Sequence, residues 1–266
     1  MISEMFNTSL AIIGMVHLPP LPGAPGWTGE LTEIEIHATE DVNALIEGGA
    51  HGILFENFGD APFTKGKVNP LTVSSMTRVI LNCIKNVNIP FGINILRNDW
   101  EAALSISVAT GAKFIRVNIL SGVYVTDQGV IEGDGYACMG LRRKIERDMG
   151  RKVVILADAH TKHGKPLVEQ SLEDAVKDLT ERVGVEGVII TGLRTGEPTT
   201  LDDVEVAKKA AGGTSVLVGS GVNPNNIQEF SQYAQGFIVG SYLKKDGKLK
   251  NPVDPARVRA LVECLS

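Results

Sequence analysis

The sequence predicts one α/β domain, a (β/α)8 or TIM barrel spanning residues 1–266. Three observations point there. Eight short apolar runs recur along the 266 residues. Several are continuous in Val, Ile, Leu and Phe rather than alternating, as parallel strands buried on both faces read. Helix-sized segments separate them, which is the spacing of a βα repeat. A doubly wound open sheet uses the same units. The barrel is preferred because eight units account for the chain with no strand left over, and no linker-like composition marks a second domain.

In chain order the runs are "AIIGMVH" (11–17), "GILFEN" (52–57), "FGINIL" (91–96), "FIRVNI" (114–119), "VVILADAH" (153–160), "GVIITG" (187–192), "SVLVGSG" (215–221) and "GFIVGS" (236–241). Between them lie segments of helical period. Asn98 stands before "DWEAALSISVATGA", with Glu101 three residues on in capping-box register. Ser171 opens "LEDAVKDLTERVG" and Thr200 opens "LDDVEVAKKAAGG", each with acidic residues in the first turn that suit the helix dipole. Apolar helical stripes also run through 37–48, 71–86 and 254–264. Two connections are longer. Residues 18–30 are Pro-rich. Residues 120–136 hold two β-rich patches around Asp127-Gln128-Gly129, which read as a small hairpin lid over the barrel mouth.

Bulk composition sets outer bounds. Net charge is −5 and 43% of residues are hydrophobic. A general nucleic-acid binder usually carries a basic patch, so no nucleic-acid partner is expected. Cys83, Cys138 and Cys264 form no C-x-x-C pair, which argues against a disulfide framework or a thiolate zinc site. No apolar run reaches the roughly 18–20 residues that a membrane span needs. The first charge is Glu4, with no basic residue before the apolar stretch, so the start does not read as a secretory signal. The expectation is a cytoplasmic protein; peripheral membrane association and homo-oligomerisation are left open.

Polar residues at the C-terminal ends of barrel strands point toward one shared mouth. Here those ends carry His17; Glu56 and Asn57; Asn94, Arg97 and Asn98; Arg116 and Asn118; Asp158, His160 and Lys162; Thr191; Ser220; and Ser241. In "LADAHTKHGKP", alternate residues of an extended chain would face one way, placing Asp158 beside His160 and Lys162. Asp158 and His160, with Glu56 as the alternative base, are the expected proton-transfer groups. His17, Asn94, Arg116, Asn118, Lys162 and Thr191 are the expected substrate-binding groups. His17, Glu56, Asp158 and His160 are also ordinary ligand types for a divalent metal, but they show no diagnostic spacing, so no cofactor is predicted.

The stretch "VLVGSGVNPNNI" fits an anion site. Gly219, Ser220 and Gly221 leave the seventh strand, Asn223 would cap a short helix with Pro224 in its first position, and Gly240 and Ser241 leave the eighth strand beside it. Glycines let backbone N–H groups approach an oxyanion, and barrels frequently bind phosphate in these two loops. Lys244 and Lys245 would add charge nearby. The expected ligand is a small phosphorylated metabolite, and isomerisation, aldol-type cleavage or glycosidic chemistry would all fit the equipment.

The segments "GMVHLPPLPGAPG", "ENFGDAPF", "LRND", "FIRVNI", "VTDQGVIEG", "LADAHTKHGKPL", "TGLRTGEP", "VGSGVNPNNI" and "IVGSYLKKDG" together resemble the BtpA family, in matching order from about Ala11 to Leu261. The resemblance implies a barrel of the ribulose-phosphate-binding kind. It also implies two competing roles. One is a non-enzymatic factor for photosystem I biogenesis, as in photosynthetic relatives. The other is an enzyme like phosphoribosylanthranilate isomerase, although the first strand here ends in His17 and not in a cysteine.

Overall fold

The computed structural model describes residues 2–192 and 199–265. Its strands are β1 (Ala11–His17), β2 (Gly52–Glu56), β3 (Phe91–Asn94), β4 (Phe114–Val117), β5 (Val123–Thr126), β6 (Gly129–Glu132), β7 (Val154–Asp158), β8 (Gly164–Pro166), β9 (Gly187–Ile190), β10 (Ser215–Val218) and β11 (Gly236–Val239). Eight of them close a parallel barrel in the order β1-β11-β10-β9-β7-β4-β3-β2. These are the eight predicted runs, most of them one to three residues shorter at the C-terminal end. The shortening has a physical cause: past the last ladder bond the chain is held by side chains instead. Asn57 Oδ1, for example, accepts the Leu96 N–H at 2.7 Å.

The helices are α1 (Ile2–Phe6), α2 (Leu31–Glu47), α3 (Pro70–Cys83), α4 (Trp100–Thr110), α5 (Gly135–Met149), α6 (Leu172–Lys177), α7 (Leu201–Ala210), α8 (Ile227–Phe230) and α9 (Pro255–Glu263). Ser171 and Thr200 cap α6 and α7 as expected, accepting from the Asp174 and Asp203 N–H groups. The cap of α4 is Asp99 and not Asn98. Asp99 Oδ1 accepts from Ala102 N, whereas Asn98 exchanges two hydrogen bonds with the Ile119 backbone, and Glu101 pairs with Lys67 at 2.8 Å. A carboxylate wins the cap and the amide, with both donor and acceptor, bridges two loops. The short helix after β10 starts at Ile227, later than expected. Asn223 instead accepts from Asn225 N in the preceding turn.

Two cores result. Inward side chains such as Ile13, Leu54, Phe114, Leu156, Ile189 and Leu217 fill the barrel. α1 closes its lower end, with the Phe6 ring 5.7 Å from Phe114 in an edge contact. The interior alternates large and small: a Cβ on Gly92 would stand 2.3 Å from the Phe114 ring, and one on Gly52 would stand 2.4 Å from Phe6. Outward side chains, among them Ile12, Phe55 and Phe237, pack under the helices in the second core.

The expected hairpin is present as β5 and β6, joined at Asp127-Gln128, and β8 adds an unexpected third antiparallel strand against β5. The Pro-rich loop is anchored to the barrel. Leu18 and Leu21 are buried, and Leu21 N donates to Asp60 Oδ1 at 2.8 Å. Lys244 departs from expectation. Its ammonium is sealed inside and pairs with Asp41 of α2, whose other oxygen accepts the Val253 N–H at 2.7 Å. The pair ties the segment after β11 to the helix layer. Removing one member of a buried ion pair strands the other, which costs about 3–5 kcal/mol, while an apolar replacement of both costs much less. Asp41→Ala should therefore lower unfolding stability by about that amount in urea titration, and Asp41→Leu with Lys244→Met should recover most of the loss.

Candidate functional site at the barrel mouth

Side chains alternate in and out along a strand, so the inward parity of the barrel carries through to its C-terminal rim. His17, Glu56, Asn94 and Arg116 are register neighbours on β1, β2, β3 and β4, and they form one continuous row. Asp158 ends β7 on the far side of Arg116. Above this ring lies a cavity of about 290 Å3. It is lined by His17, Glu56, Arg97, Arg116, Asn118 and Lys162, by Gly219–Val222 and Val239–Ser241, and by Phe58, Phe63, His163 and Leu249. Asp127, at the tip of the β5–β6 hairpin, also lines it, which makes the hairpin part of the roof.

The floor is a buried charge network. Arg116 grips Asp158 with two hydrogen bonds of 2.9 and 3.0 Å, and Asn118 Nδ2 donates to the same carboxylate at 3.0 Å. Fork-to-fork pairs of this type are strong and directional. Asn94 Nδ2 donates to Glu56 Oε2 at 2.5 Å. Burial raises the Glu56 carboxyl above its ordinary range, and the charges of Arg116 and Lys162 only partly offset this. Lys162 is lowered to about 8, first by burial and then by the Arg116 charge. Burial, helped by the positive Lys244, Lys162 and Arg116, lowers His17 to about 3. His17 is therefore a neutral imidazole near pH 7, and its 3.8 Å approach to Glu56 is not an ion pair.

The two predicted glycine-serine exits meet on one wall. The backbone N–H groups of Gly221, Val222, Gly240 and Ser241 have no protein acceptor among the described residues. Gly240 lies against His17: a Cβ there would stand 2.9 Å from the imidazole. The Ser220 hydroxyl does not face the cavity. It accepts the Gly192 N–H at 2.6 Å and contacts the Thr199 hydroxyl at 3.2 Å, so this residue lines the wall through its backbone.

Four expected site residues do not line the cavity. Asn94 lies below it and donates to Glu56. His160 is outside the cavity: its ring stacks edge-on to Tyr124 at 6.5 Å, and burial lowers its pKa. Asp158 sits below the cavity, committed to Arg116 and Asn118. Thr191 donates to the His160 carbonyl at 3.1 Å. The alternation expected for Asp158, His160 and Lys162 fails because β7 ends at Asp158 and the chain turns. Arg97 then holds the Thr161 hydroxyl at 2.8 Å and the Lys162 carbonyl, and this swings Lys162 into the cavity. The four residues considered as metal ligands are accordingly not gathered at one point. Phe58, Phe63, His163 and Leu249 carried no sequence signal beyond lying in loops near strand ends. Leu193 to Pro198, part of "TGLRTGEP", lie outside the described residues.

The fold and this site define a closed (β/α)8 barrel with a charged, half-buried mouth cavity. The chain belongs to the BtpA family, whose model matches residues 8–266. It is 45% identical to the photosystem I biogenesis protein BtpA of Synechocystis sp., over 99% of this chain and 90% of that protein. It is 45% identical to an uncharacterized protein of Pyrococcus furiosus, over 94% and 93%. A mitochondrial uncharacterized protein of Caenorhabditis elegans is 31% identical, over 97% and 94%. Solved structures of the same fold include a thiamine phosphate pyrophosphorylase from P. furiosus, with TM-score 0.57, 12% identity and 98% and 96% of the two chains covered. An N-(5'-phosphoribosyl)anthranilate isomerase from P. furiosus gives 0.54, 14%, 96% and 98%. A Schiff-base-forming fructose-1,6-bisphosphate aldolase gives 0.56, 14%, 99% and 98%. Among the described residues no helix is long and apolar enough to cross a membrane.

His17 supplies a pH test. Its folded pKa lies below the ordinary 6.5, so between pH 6.5 and about 3 the unfolded chain takes a proton that the folded one refuses. That part of the stability is present above pH 6.5 and is lost as pH falls toward 3. His17→Gln should flatten the acid limb of a stability-versus-pH curve measured by denaturant titration.

Proposed function

We propose that this barrel is an enzyme acting on a small phosphorylated metabolite, a sugar or nucleotide phosphate, by acid–base chemistry at the mouth. One observation carries the reading. A single cavity brings four acceptor-free N–H groups from the exits of β10 and β11 together with Glu56 and Lys162, two ionisable groups whose pKa values burial displaces toward neutrality. Backbone N–H groups spaced along glycine-rich turns bind phosphate oxygens without adding a side chain. Arg116 and Arg97, both in the lining, supply the positive field. A raised carboxyl and a lowered amine are the pair that moves protons near pH 7.

The proton-transfer roles fall to Glu56 and Lys162, and Asp158 is a positioning residue acting through Arg116. Arg97 and Asn118 complete the polar lining, while Phe58 and Phe63 offer apolar contact. The named functions of the pyrophosphorylase, the isomerase and the aldolase all involve phosphate esters, in keeping with this reading. A purely assembly-related role, which the name of the Synechocystis relative states for that protein, gives no physical reason to bury Glu56 and Lys162 beside an open cavity. The ligand is a small molecule and not a nucleic acid, and the proposed location is the cytoplasm.

A panel of phosphosugars and nucleotides in a thermal-shift assay tests the reading. A ligand at a hundred times its Kd stabilises by about 2.7 kcal/mol, which for a domain of this size is a rise of roughly 5–10 °C. Ser241→Glu, which puts negative charge on the proposed phosphate wall, should abolish the rise. No shift with any member of the panel would sink the proposal. For the compound that shifts the protein most, Glu56→Gln should lower kcat by about 10²–10⁴ while leaving the fold and the Asn94 contact in place.

A further inference from the structure

Two lysines lie near the C-terminal end of the barrel, Lys244 fully buried and Lys162 half-buried, and the protein treats them in opposite ways. Lys244 is sealed from solvent and its ammonium is neutralised by Asp41. Lys162 turns its Nζ into the mouth cavity, and its hydrogen-bond partner there is the main-chain carbonyl of Gly219, at 3.0 Å. No carboxylate pairs with it among the described residues, and its largest charged influence is a like charge, the guanidinium of Arg116. A buried lysine that serves the fold needs a counter-charge, as Lys244 has. Lys162, half-buried beside an arginine whose effect Asp158 and Glu56 only partly offset, gives up its proton more readily than a free lysine, and the neutral amine is a nucleophile.

Its placement is also fixed. Arg97 anchors the chain at Thr161 and at the Lys162 carbonyl, and Gly219 accepts from Nζ just before the N–H groups of Gly221 and Val222. Glu56, whose carboxyl burial raises above its ordinary range, lines the same space. An amine, a proton carrier and a phosphate wall thus share one small chamber.

We propose that Lys162 forms a covalent imine with the carbonyl carbon of a phosphorylated aldehyde or ketone whose phosphate rests on the Gly221, Val222, Gly240 and Ser241 N–H groups. This rests on the phosphate-site reading above and narrows the substrate class. The neutral Nζ adds to the carbonyl carbon. The N–C bond forms, the carbonyl π pair moves to oxygen, and a proton passes from nitrogen to that oxygen. The Glu56 carboxyl then protonates the hydroxyl, the C–O bond breaks, and water leaves a protonated imine beside the Glu56 carboxylate. That carboxylate is placed to take a proton from the carbon next to the imine, and the electron pair of the broken C–H bond delocalises into the iminium to give an enamine.

The test is reductive trapping. The full-length protein is incubated with phosphorylated aldehydes and ketones of two to six carbons, including dihydroxyacetone phosphate and D-ribulose 5-phosphate, and treated with sodium borohydride. The expected result is a mass gain equal to the probe less one oxygen atom, mapped by peptide sequencing to Lys162, absent in Lys162→Met and at least tenfold slower in Glu56→Gln. D-Glucitol 6-phosphate, which has no carbonyl, should compete with trapping and should also raise the melting temperature of Lys162→Met, a readout that shows this variant folded. Absence of adduct at Lys162 across the series, or equal labelling of many surface lysines, overturns the imine. If the glucitol phosphate still shifts the melting temperature in that case, the phosphate site stands alone. If it does not, both readings fall.

Discussion

The Arg116–Asp158 pair is the contact on which the mouth depends. Both groups are buried, and both leave water at a cost that a single ion pair seldom returns. The structure offsets the cost with geometry: two hydrogen bonds from the guanidinium and a third from Asn118 saturate the carboxylate. The result is a fixed guanidinium between β4 and β7 that faces the cavity. Its field helps hold Lys162 near neutrality, helps keep His17 uncharged and tempers the effect of burial on Glu56.

That pair can exist only because of how a parallel barrel closes. Alternate strands deliver the inward residues of each layer, and the layers below the mouth must fill completely. Phe114, Leu156 and Leu217 do so because Gly92 and Gly187 face them without side chains, while Gly52 leaves room for Phe6 from α1. Above that packing the inward positions switch from apolar to charged, and register sets His17, Glu56, Asn94 and Arg116 side by side. The last two strands switch instead to glycine. This leaves backbone as the wall, and backbone N–H groups are what an oxyanion binds. One half of the rim carries ionisable side chains and the other carries none, a division suited to holding an inert phosphate at one end of a molecule and reacting at the other.

Much of this was legible in the sequence. Apolar runs without alternation announce strands buried on both faces, and polar residues at their ends announce a mouth, because local chain chemistry controls both. His17, Glu56, Arg116, Asn118 and the glycine-serine exits all reached the places their strands imply. Legibility stopped where the ladder ends. His160 follows Asp158 by two residues, and only the turn begun at Ala159, whose N–H bonds Ile189, shows that it leaves the cavity. Lys162 and Lys244 look alike in sequence. What separates them is Asp41, 203 residues from Lys244 and adjacent to it in space. The Ser220 hydroxyl was likewise claimed by the Gly192 N–H, a partner 28 residues away. Local pattern assigns a residue to an element; long-range partners decide whether its side chain remains available for chemistry.

The central claim is that the exits of β10 and β11 form an oxyanion site opposite Glu56 and Lys162. A crystal structure of the protein grown or soaked with D-ribulose 5-phosphate tests it most directly. The account predicts phosphate density within hydrogen-bonding distance of the Gly221, Val222, Gly240 and Ser241 N–H groups, with the sugar carbons extending toward Lys162. A phosphate bound elsewhere, or a mouth that stays empty at saturating ligand, would contradict it.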